Sequence, residues 1–600
     1  MCQLGWVAAG LGLGTVVPYG CTEREPDSPA PPPVNPPAER VEIPDVDPAP
    51  EASAPDDWWF TEITDTVGLH MIHDCGVEGD FRFEEIAAAG CALADFDGDG
   101  RLDIYLINGT THHRRGSADP APDASIDRLF RQAADGSFVD VTAQSGIRGT
   151  GYGLGCAVGD YDNDGDSDLF VTNFGPDKLW RNNGDGTFSD ATAAAGIEND
   201  LWSVPAAFVD YDRDGLLDLY VGNYVLDPNS ASCYDTAGRL DYCGPQNFIP
   251  TVDTLYHNEG DGRFRDVSIA AGITAASGPA LGIVCADFNG DGWDDMYVAN
   301  DGTRNLLWIN QQDGTFVETA TIAGCAYNRD GAAEGGMGIA LGDVDDDGRL
   351  DLFITHLQNE TNTLYRGAAH ESWGDATDRS GLGMSSYPYT GFGTGLLDID
   401  HDGDLDLVVA NGAVKRRNHQ VSGAAVNEYW LRYAEPNLLY VNDGTGKFTD
   451  VSSRAGPLCT RAEVSRGLAF GDIDGDGDLD LLMTQGDGPA RLFRNDTPKQ
   501  GRWLIVRAVD PRLNRDALGA VVSVRTGDRT LRRTVIAAYS YASSSQPIAH
   551  FGLGDNGRID EITVRWPDGM AERFDGVPVD SAIELHRGTG QAIAAPEPGQ

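Results

Sequence analysis

"DFDGDGRLD" occupies residues 95–103, four aspartates and two glycines in nine positions. Carboxylates this close repel one another, so the stretch calls for a neutralising partner. Six further copies follow: "DYDNDGDSD" from Asp160, "DYDRDGLLD" from Asp210, "DFNGDGWDD" from Asp287, "DVDDDGRLD" from Asp343, "DIDHDGDLD" from Asp398 and "DIDGDGDLD" from Asp472. All fit D-x-[DN]-x-D-G-x-x-D, with Asn289 the one Asn at the third position. A single copy would read as an acidic turn. Seven in register read as cation loops.

Calcium takes six to eight oxygens, which a loop donates from alternate positions and a carboxylate farther on. In the first loop Asp95, Asp97, Asp99 and Asp103 would bind through side chains and Arg101 through its carbonyl. The equivalent residues are Asp160, Asp162, Asp164 and Asp168 with Asp166, and Asp210, Asp212, Asp214 and Asp218 with Leu216. The fourth and fifth loops supply Asp287, Asn289, Asp291 and Asp295 with Trp293, and Asp343, Asp345, Asp347 and Asp351 with Arg349. The last two supply Asp398, Asp400, Asp402 and Asp406 with Asp404, and Asp472, Asp474, Asp476 and Asp480 with Asp478. Glycine at position 6 permits the sharp turn that brings the seventh carbonyl inward. An EF-hand would need twelve residues ending in Glu, and magnesium keeps its waters, so up to seven Ca²⁺ are expected.

Each loop runs into a strand-forming stretch ("IYLIN", "LFVTN", "LYVGN", "MYVAN", "LFITH", "LVVAN", "LLMTQ"). A Gly precedes the first Asp by five residues in six copies (Gly90, Gly155, Gly282, Gly338, Gly393, Gly467), with Pro205 in the third. Downstream stretches such as "LWRNNGDGTFSDATAAAGI" (179–197) add two more strands. Four strands recurring roughly every 50–75 residues mark propeller blades, so an all-β, seven-bladed β-propeller is expected. The seventh unit lacks its last strand, and a spare one, "FTEIT" (60–64), lies before the first unit. Pairing the two would close the ring and cover an exposed edge.

A formal charge of −51 excludes a phosphate-neutralising surface, hence nucleic acid. Residues 1–21 read as an export signal ending in Cys21, a candidate lipid acceptor, and 22–57 as an extended Pro-rich linker. Export to the cell envelope or the exterior follows, as a monomer. The propeller is assigned to 58–500 and a β-sandwich-like domain to 501–588, with a disordered tail from 589 to 600. Cys233 and Cys243 bracket a long insertion and form the expected disulfide. Cys91 and Cys156 read as buried thiols, and His70 and His73 as structural.

After the Asp loops, "NRDALGAVVSV" (514–524), "HFGLGD" (550–555) and "VRWPDG" (564–569) resemble the ASPIC/UnbV domain. The loop units resemble the FG-GAP/VCBS repeats of integrin α propellers. Together, and with "YCGP" (242–245), they resemble the cartilage acidic protein 1 family and its bacterial relatives, some encoded in enediyne clusters. The resemblance implies an extracellular, calcium-binding, mainly non-enzymatic protein. The ligand, whether protein, glycan or small molecule, stays open. No G-x-S-x-G, H-E-x-x-H or Walker pattern occurs, and "SYASSS" (540–545) offers hydroxyls without a base. The alternative is an enzyme using the central channel, or an accessory protein of secondary metabolism.

Connections after the second strand must leave the face opposite the Asp loops. Three are long: 109–128, 224–253 and 412–436. Long loops on a rigid scaffold carry binding residues. One of them holds Lys415, Arg416 and Arg417, with Tyr429, Trp430 and Tyr433 nearby, a candidate site for an anionic ligand.

Overall fold

The structure, a computed structural model, describes residues 58–77, 79–109, 127–149, 151–369, 372–417 and 424–594. The expectations for 1–57, including Cys21, and for most of the first insertion lie outside these residues.

The apolar runs on either side of each Asp loop form the first two strands of an antiparallel, four-stranded blade. In the first blade these are Cys91–Ala94 and Asp103–Leu106, followed by Arg128–Gln132 and Phe138–Asp140. The first strands of the next six blades are Gly153–Gly159, Ser203–Val209, Ala280–Ala286, Ile339–Gly342, Gly391–Leu397 and Ser465–Gly471. These inner strands are buried along almost their whole length, because blades flank them on both sides. Each packs on the next and the seventh packs on the first, so the ring is closed.

The closing blade is completed from the other end of the chain. Phe60–Glu62 pairs antiparallel with Arg491–Asn495, with Phe60 opposite Asn495 and Glu62 opposite Phe493. Phe60 is fully buried among Leu439, Leu458, Leu481 and Phe493. Glu62 is bound by Arg461 and Arg491.

The glycines upstream of the Asp loops are explained by the channel. A Cβ on Gly155 would lie 2.2 Å from Val204 O, and one on Gly338 would lie 2.0 Å from Phe392 O, both in the next blade. Seven inner strands can converge only where their backbones touch. Gly338→Ala is therefore expected to cost about 1–3 kcal/mol through overpacking, read as a lower midpoint in chemical denaturation with an unchanged slope.

The C-terminal domain is two packed sheets. One holds Arg502–Asp510, Arg515–Asp516, Ala549–Gly554 and Ser581–His586; the other holds Val521–Thr526, Arg529–Thr534, Glu561–Arg565, Ala571–Phe574 and Gln591–Ile593. Leu504, Val506, Val522, Val524, Phe551, Val564 and Trp566 fill the space between them. Gln591–Ile593 pairs with Ala571–Arg573, so the domain runs past residue 588, where the composition had placed a disordered tail. A short Gly-rich turn (Thr589, Gly590) masks that last strand in the sequence.

This domain sits on the Asp-loop face and inserts a hairpin, Ala538–Tyr539 and Ser543–Ser544, into the channel. The hairpin bonds to the inner strands of five blades. Cys91 N–H donates to Ser543 Oγ (3.2 Å), Cys156 N–H to Ala542 O (3.2 Å) and Val158 N–H to Ser544 Oγ (3.2 Å). Ile339 and Ser540 exchange backbone bonds, Thr394 N–H donates to Ser540 Oγ (3.0 Å) and Phe470 N–H to Ser545 Oγ (3.2 Å). The serines of "SYASSS" thus satisfy edge amides that a bare channel would leave to water. Its tip is strained: Ser540 and Ala542 have φ of 70° and 51°.

Candidate metal centres and the insertion face

All seven Asp loops fold alike. The first carboxylate accepts the N–H of the position 6 glycine through Oδ2 at 2.8–3.1 Å. The fifth accepts the N–H of position 7 at 2.8–3.1 Å. Those glycines have φ between 84° and 103°, a region costly for any residue with a Cβ. Position 4 is also left-handed in every copy, and Asn163, Arg213, Asp346 and His401 tolerate it there.

The ninth aspartate has a second job that its spacing did not disclose. Its Oδ2 accepts the N–H of position 2 at 3.0–3.3 Å. Its Oδ1 accepts an N–H from the third strand at 2.7–2.9 Å. It clamps loop to blade before it could serve a cation. The carboxylate groups that converge include Asp95, Asp97 and Asp99, then Asp210, Asp212 and Asp214, then Asp343, Asp345 and Asp347. In the second loop the ninth residue joins, as Asp160, Asp162 and Asp168.

The donor set is oxygen only, which suits a hard cation. Five loops hold a buried carboxylate oxygen with no hydrogen-bond partner: Oδ1 of Asp97, Asp162, Asp210, Asp287 and Asp345. An orphaned buried oxygen is costly unless something binds it. Burial also raises other carboxyls of the loops: Asp103, Asp160 and Asp351 to about 7, Asp295 to about 8 and Asp168 to about 9. The residues present therefore fit a divalent cation.

Two side-chain sets were missed in the sequence. A basic residue on the third strand faces position 3 of several loops. Arg131 lies 2.7 Å from Asp97, Arg181 lies 3.9 Å from Asp162, and Arg366 contacts Asp345. His257 Nδ1 lies 3.4 Å from Asp212 and 3.1 Å from Asp218. A side-chain amide at the end of the third strand ties six of the loops to the neighbouring blade; for example, Asn182 Nδ2 donates to Phe96 O, Asn258 to Tyr161 O and Asn310 to Tyr211 O, each at 2.8 Å. The signal was the recurring "N" of "LWRN", "LYHN" and "LWIN".

The C-terminal domain covers much of this face. Arg565 lies 2.9 Å from Asp287 Oδ2, Arg529 bonds Asp346 and Asp404, and Asn514 Nδ2 donates to Asp164 O (2.9 Å). His550 Nε2 sits 3.0 Å from Gly477 O. The channel, where a propeller enzyme would keep its pocket, is filled by the hairpin.

The other face belongs to the insertions. Strand Asp406–Asn411 delivers the described residues of this insertion, 412–417 and 424–436, away from the Asp loops, as topology required, and they pack on 224–253. Cys233 and Cys243 are bonded, with Cα atoms 5.1 Å apart. Tyr242 Oη lies 2.9 Å from Tyr429 Oη and 3.0 Å from Glu85 Oε2, and Tyr433 Oη donates to Asp241 Oδ1 (2.9 Å). The three basic residues do not act as one cluster, and only Lys415 of them is exposed. Arg417 neutralises fully buried Glu435 at 2.5 Å, and Arg416 is held by Asp241 and Asp235. Lys415 parts from them and donates to Tyr242 O. Tyr429, Trp430 and Tyr433 stack on one another and on Tyr242 instead of facing a ligand. His70 is exposed beside Asp65, whereas His73 is buried next to Cys75, so the two do not form a metal pair. Cys91 and Cys156 are buried and free.

Comparison with known proteins agrees with this architecture. An FG-GAP-like repeat model matches residues 95–171, 160–221, 235–298, 287–354, 343–409 and 427–483. An ASPIC and UnbV model matches residues 510–592. Cartilage acidic protein 1 of Mus musculus is 26% identical over 331 residues, covering 54% of this chain and 47% of that protein. The Homo sapiens protein is 25% identical over 327 residues, covering 54% and 46%. The chain thus spans about half the length of the curated relatives it matches. Among solved structures, a lectin from Burkholderia pseudomallei aligns with a TM-score of 0.40 at 10% identity, covering 68% of this chain and 97% of its own. A rhamnogalacturonan lyase from Bacillus licheniformis aligns with a TM-score of 0.35 at 16% identity, covering 68% and 72%.

Proposed function

This chain belongs to the FG-GAP repeat family and ends in an ASPIC and UnbV domain, the make-up of a general binding or scaffold module, and we propose that it is an exported, calcium-stabilised propeller that captures its ligand on the insertion face. The observation that carries this reading is the division of labour between the faces. The Asp-loop face is engaged by the C-terminal domain, whereas the opposite face carries the long connections. Rigid scaffolds concentrate recognition in such connections.

Calcium is favoured over other cations by the all-oxygen donor set and by orphaned carboxylate oxygens in five loops. Up to seven ions would offset part of the formal charge of −51. Export is supported by the apolar segment before Cys21, a lipid attachment there by the Gly20-Cys21 junction, and a tether by the Pro-rich residues that follow. The partner is a protein, a glycan or a small molecule, and nucleic acid is disfavoured by charge.

Leu226, Tyr234 and Ile249 present exposed apolar side chains on the 224–253 insertion. Affinity capture from native envelope extract, using wild type and an Ile249→Asp, Tyr234→Asp variant, tests the assignment. The wild type is expected to retain a partner, and the variant to lose it at an unchanged melting temperature. Equal capture by both would place recognition elsewhere.

A further inference from the structure

At the channel mouth on the insertion face, the two insertions, the short helix Phe83–Ala87 and the hairpin tip enclose a cavity of about 210 Å³. Its walls are largely apolar, with Phe83, Tyr224, Met337, Phe392 and Val414 around it, and Tyr541 of the hairpin contributes from the channel side. Two charged side chains also line it, and among the described residues neither has an ionic partner. Asp301 is 7% exposed; its Oδ2 accepts Tyr224 Oη at 2.6 Å, and its buried Oδ1 accepts nothing. Lys415 donates to the carbonyl of Tyr242 and meets no carboxylate within ion-pair distance.

Burial raises the Asp301 carboxyl to about 6 and lowers the Lys415 ammonium; each charge opposes that shift in the other, Asp241 also opposes it for Lys415, and the two form no ion pair. Opposite charges that share one apolar cavity without touching leave room for a molecule bearing both signs. Separate carboxylate and ammonium partners of this kind match the ammonium and carboxylate of a zwitterion. The size agrees: a void of roughly 150 Å³ takes a benzene ring, so one of about 210 Å³ takes a ligand of about eight or nine heavy atoms. Arg466, stacked on the Phe392 ring at 3.9 Å, Glu360 and Asp241 are further nearby charges, each held by other bonds.

We propose that this cavity binds a free amino acid with an apolar side chain. Its ammonium bonds Asp301, its carboxylate meets Lys415, and its side chain lies against Phe83, Met337 and Phe392. The proposal deepens, and rests on, the reading of the insertion face as the binding surface. Because Tyr541 comes from the C-terminal domain, the pocket is complete only when that domain is docked.

Calorimetric titration of the full chain with L-phenylalanine, L-leucine, phenethylamine and 3-phenylpropionate tests it. At least one amino acid is expected to bind below about 1 mM, and the amine and the acid at least about tenfold more weakly. Asp301→Asn and Lys415→Met should each weaken the amino acid about tenfold or more. Asn keeps an acceptor for Tyr224, and Lys415 stands at the rim, so both variants should melt as wild type does. No binding by either amino acid, equal binding by the single-charge analogues, or wild-type affinity in both variants would overturn the proposal. A null titration in protein that still captures a partner from extract defeats the amino acid alone, and leaves the insertion-face reading standing.

Discussion

Removal of bound cation with excess EDTA is expected to lower the melting temperature by more than about 10 °C, and calcium should restore it better than magnesium. Each loop folds three or four carboxylates around its own backbone amides, and a bound ion would give the orphaned oxygens of Asp97, Asp162, Asp210, Asp287 and Asp345 a partner. The effect has a sign in pH. Burial holds Asp103, Asp160 and Asp351 at about 7, Asp295 at about 8 and Asp168 at about 9, against about 4 in an unfolded chain. A carboxyl raised in this way stabilises the fold while protonated and loses that contribution as pH rises through its folded value. Metal-free protein should therefore be more stable at pH 5 than at pH 8. A cation needs the ionised form, so the drop caused by chelator should be larger at pH 8. Thermal scans at both pH values, with metal content measured, decide it. A melting curve indifferent to verified metal removal would rule out structural cation.

The second large effect concerns the join of the ring. Deleting residues 1–64 is expected to abolish cooperative unfolding or drive aggregation, whereas deleting 1–57 should leave the melting temperature unchanged. The difference lies in Phe60–Glu62, whose pairing with Arg491–Asn495 supplies the outer strand of the last blade. Phe60 is fully buried, and truncating such a side chain to Ala alone costs about 3–5 kcal/mol. Its loss also bares the edge of Arg491–Asn495 and strips Arg461 and Arg491 of Glu62. The graded variant Phe60→Ala should fall between the two truncations. Indistinguishable scans for the two deletions would mean that the ring is held by other contacts.

Much of this fold was written in local repetition. The Asp loops, the strands they feed and the incomplete seventh unit all recur at fixed spacing, so blade number and closure could be read from one chain. What escaped notice was non-local. The ninth aspartate looks like a ligand from spacing alone, because its two amide donors come from other segments. Arg131 and Arg181 gave no hint of facing Asp97 and Asp162, since they lie 34 and 19 residues downstream of them. Lys415, Arg416 and Arg417 are adjacent in sequence and meet three different partners in space: Tyr242, Asp241 and Glu435. Asp301 drew no attention, as a single acidic residue after a strand carries no pattern. The serines at 540–545 could not announce a channel, because what they bond to is the backbone of five separate blades.

That hairpin fixes the order in which the molecule can be assembled. The ring cannot close until residue 495 has been made and has met Phe60, and the segment that fills its centre is made only afterwards. Contacts of such long sequence separation form slowly, since the loop entropy must be overcome before any bond rewards it. Early chains therefore spend time as open arcs with an unpaired edge and an empty bore, the interval in which they are most exposed to aggregation. Once the hairpin is seated, unfolding must extract it from between blades before they can part. The finished protein should consequently owe its persistence to a slow rate of opening as much as to its equilibrium stability.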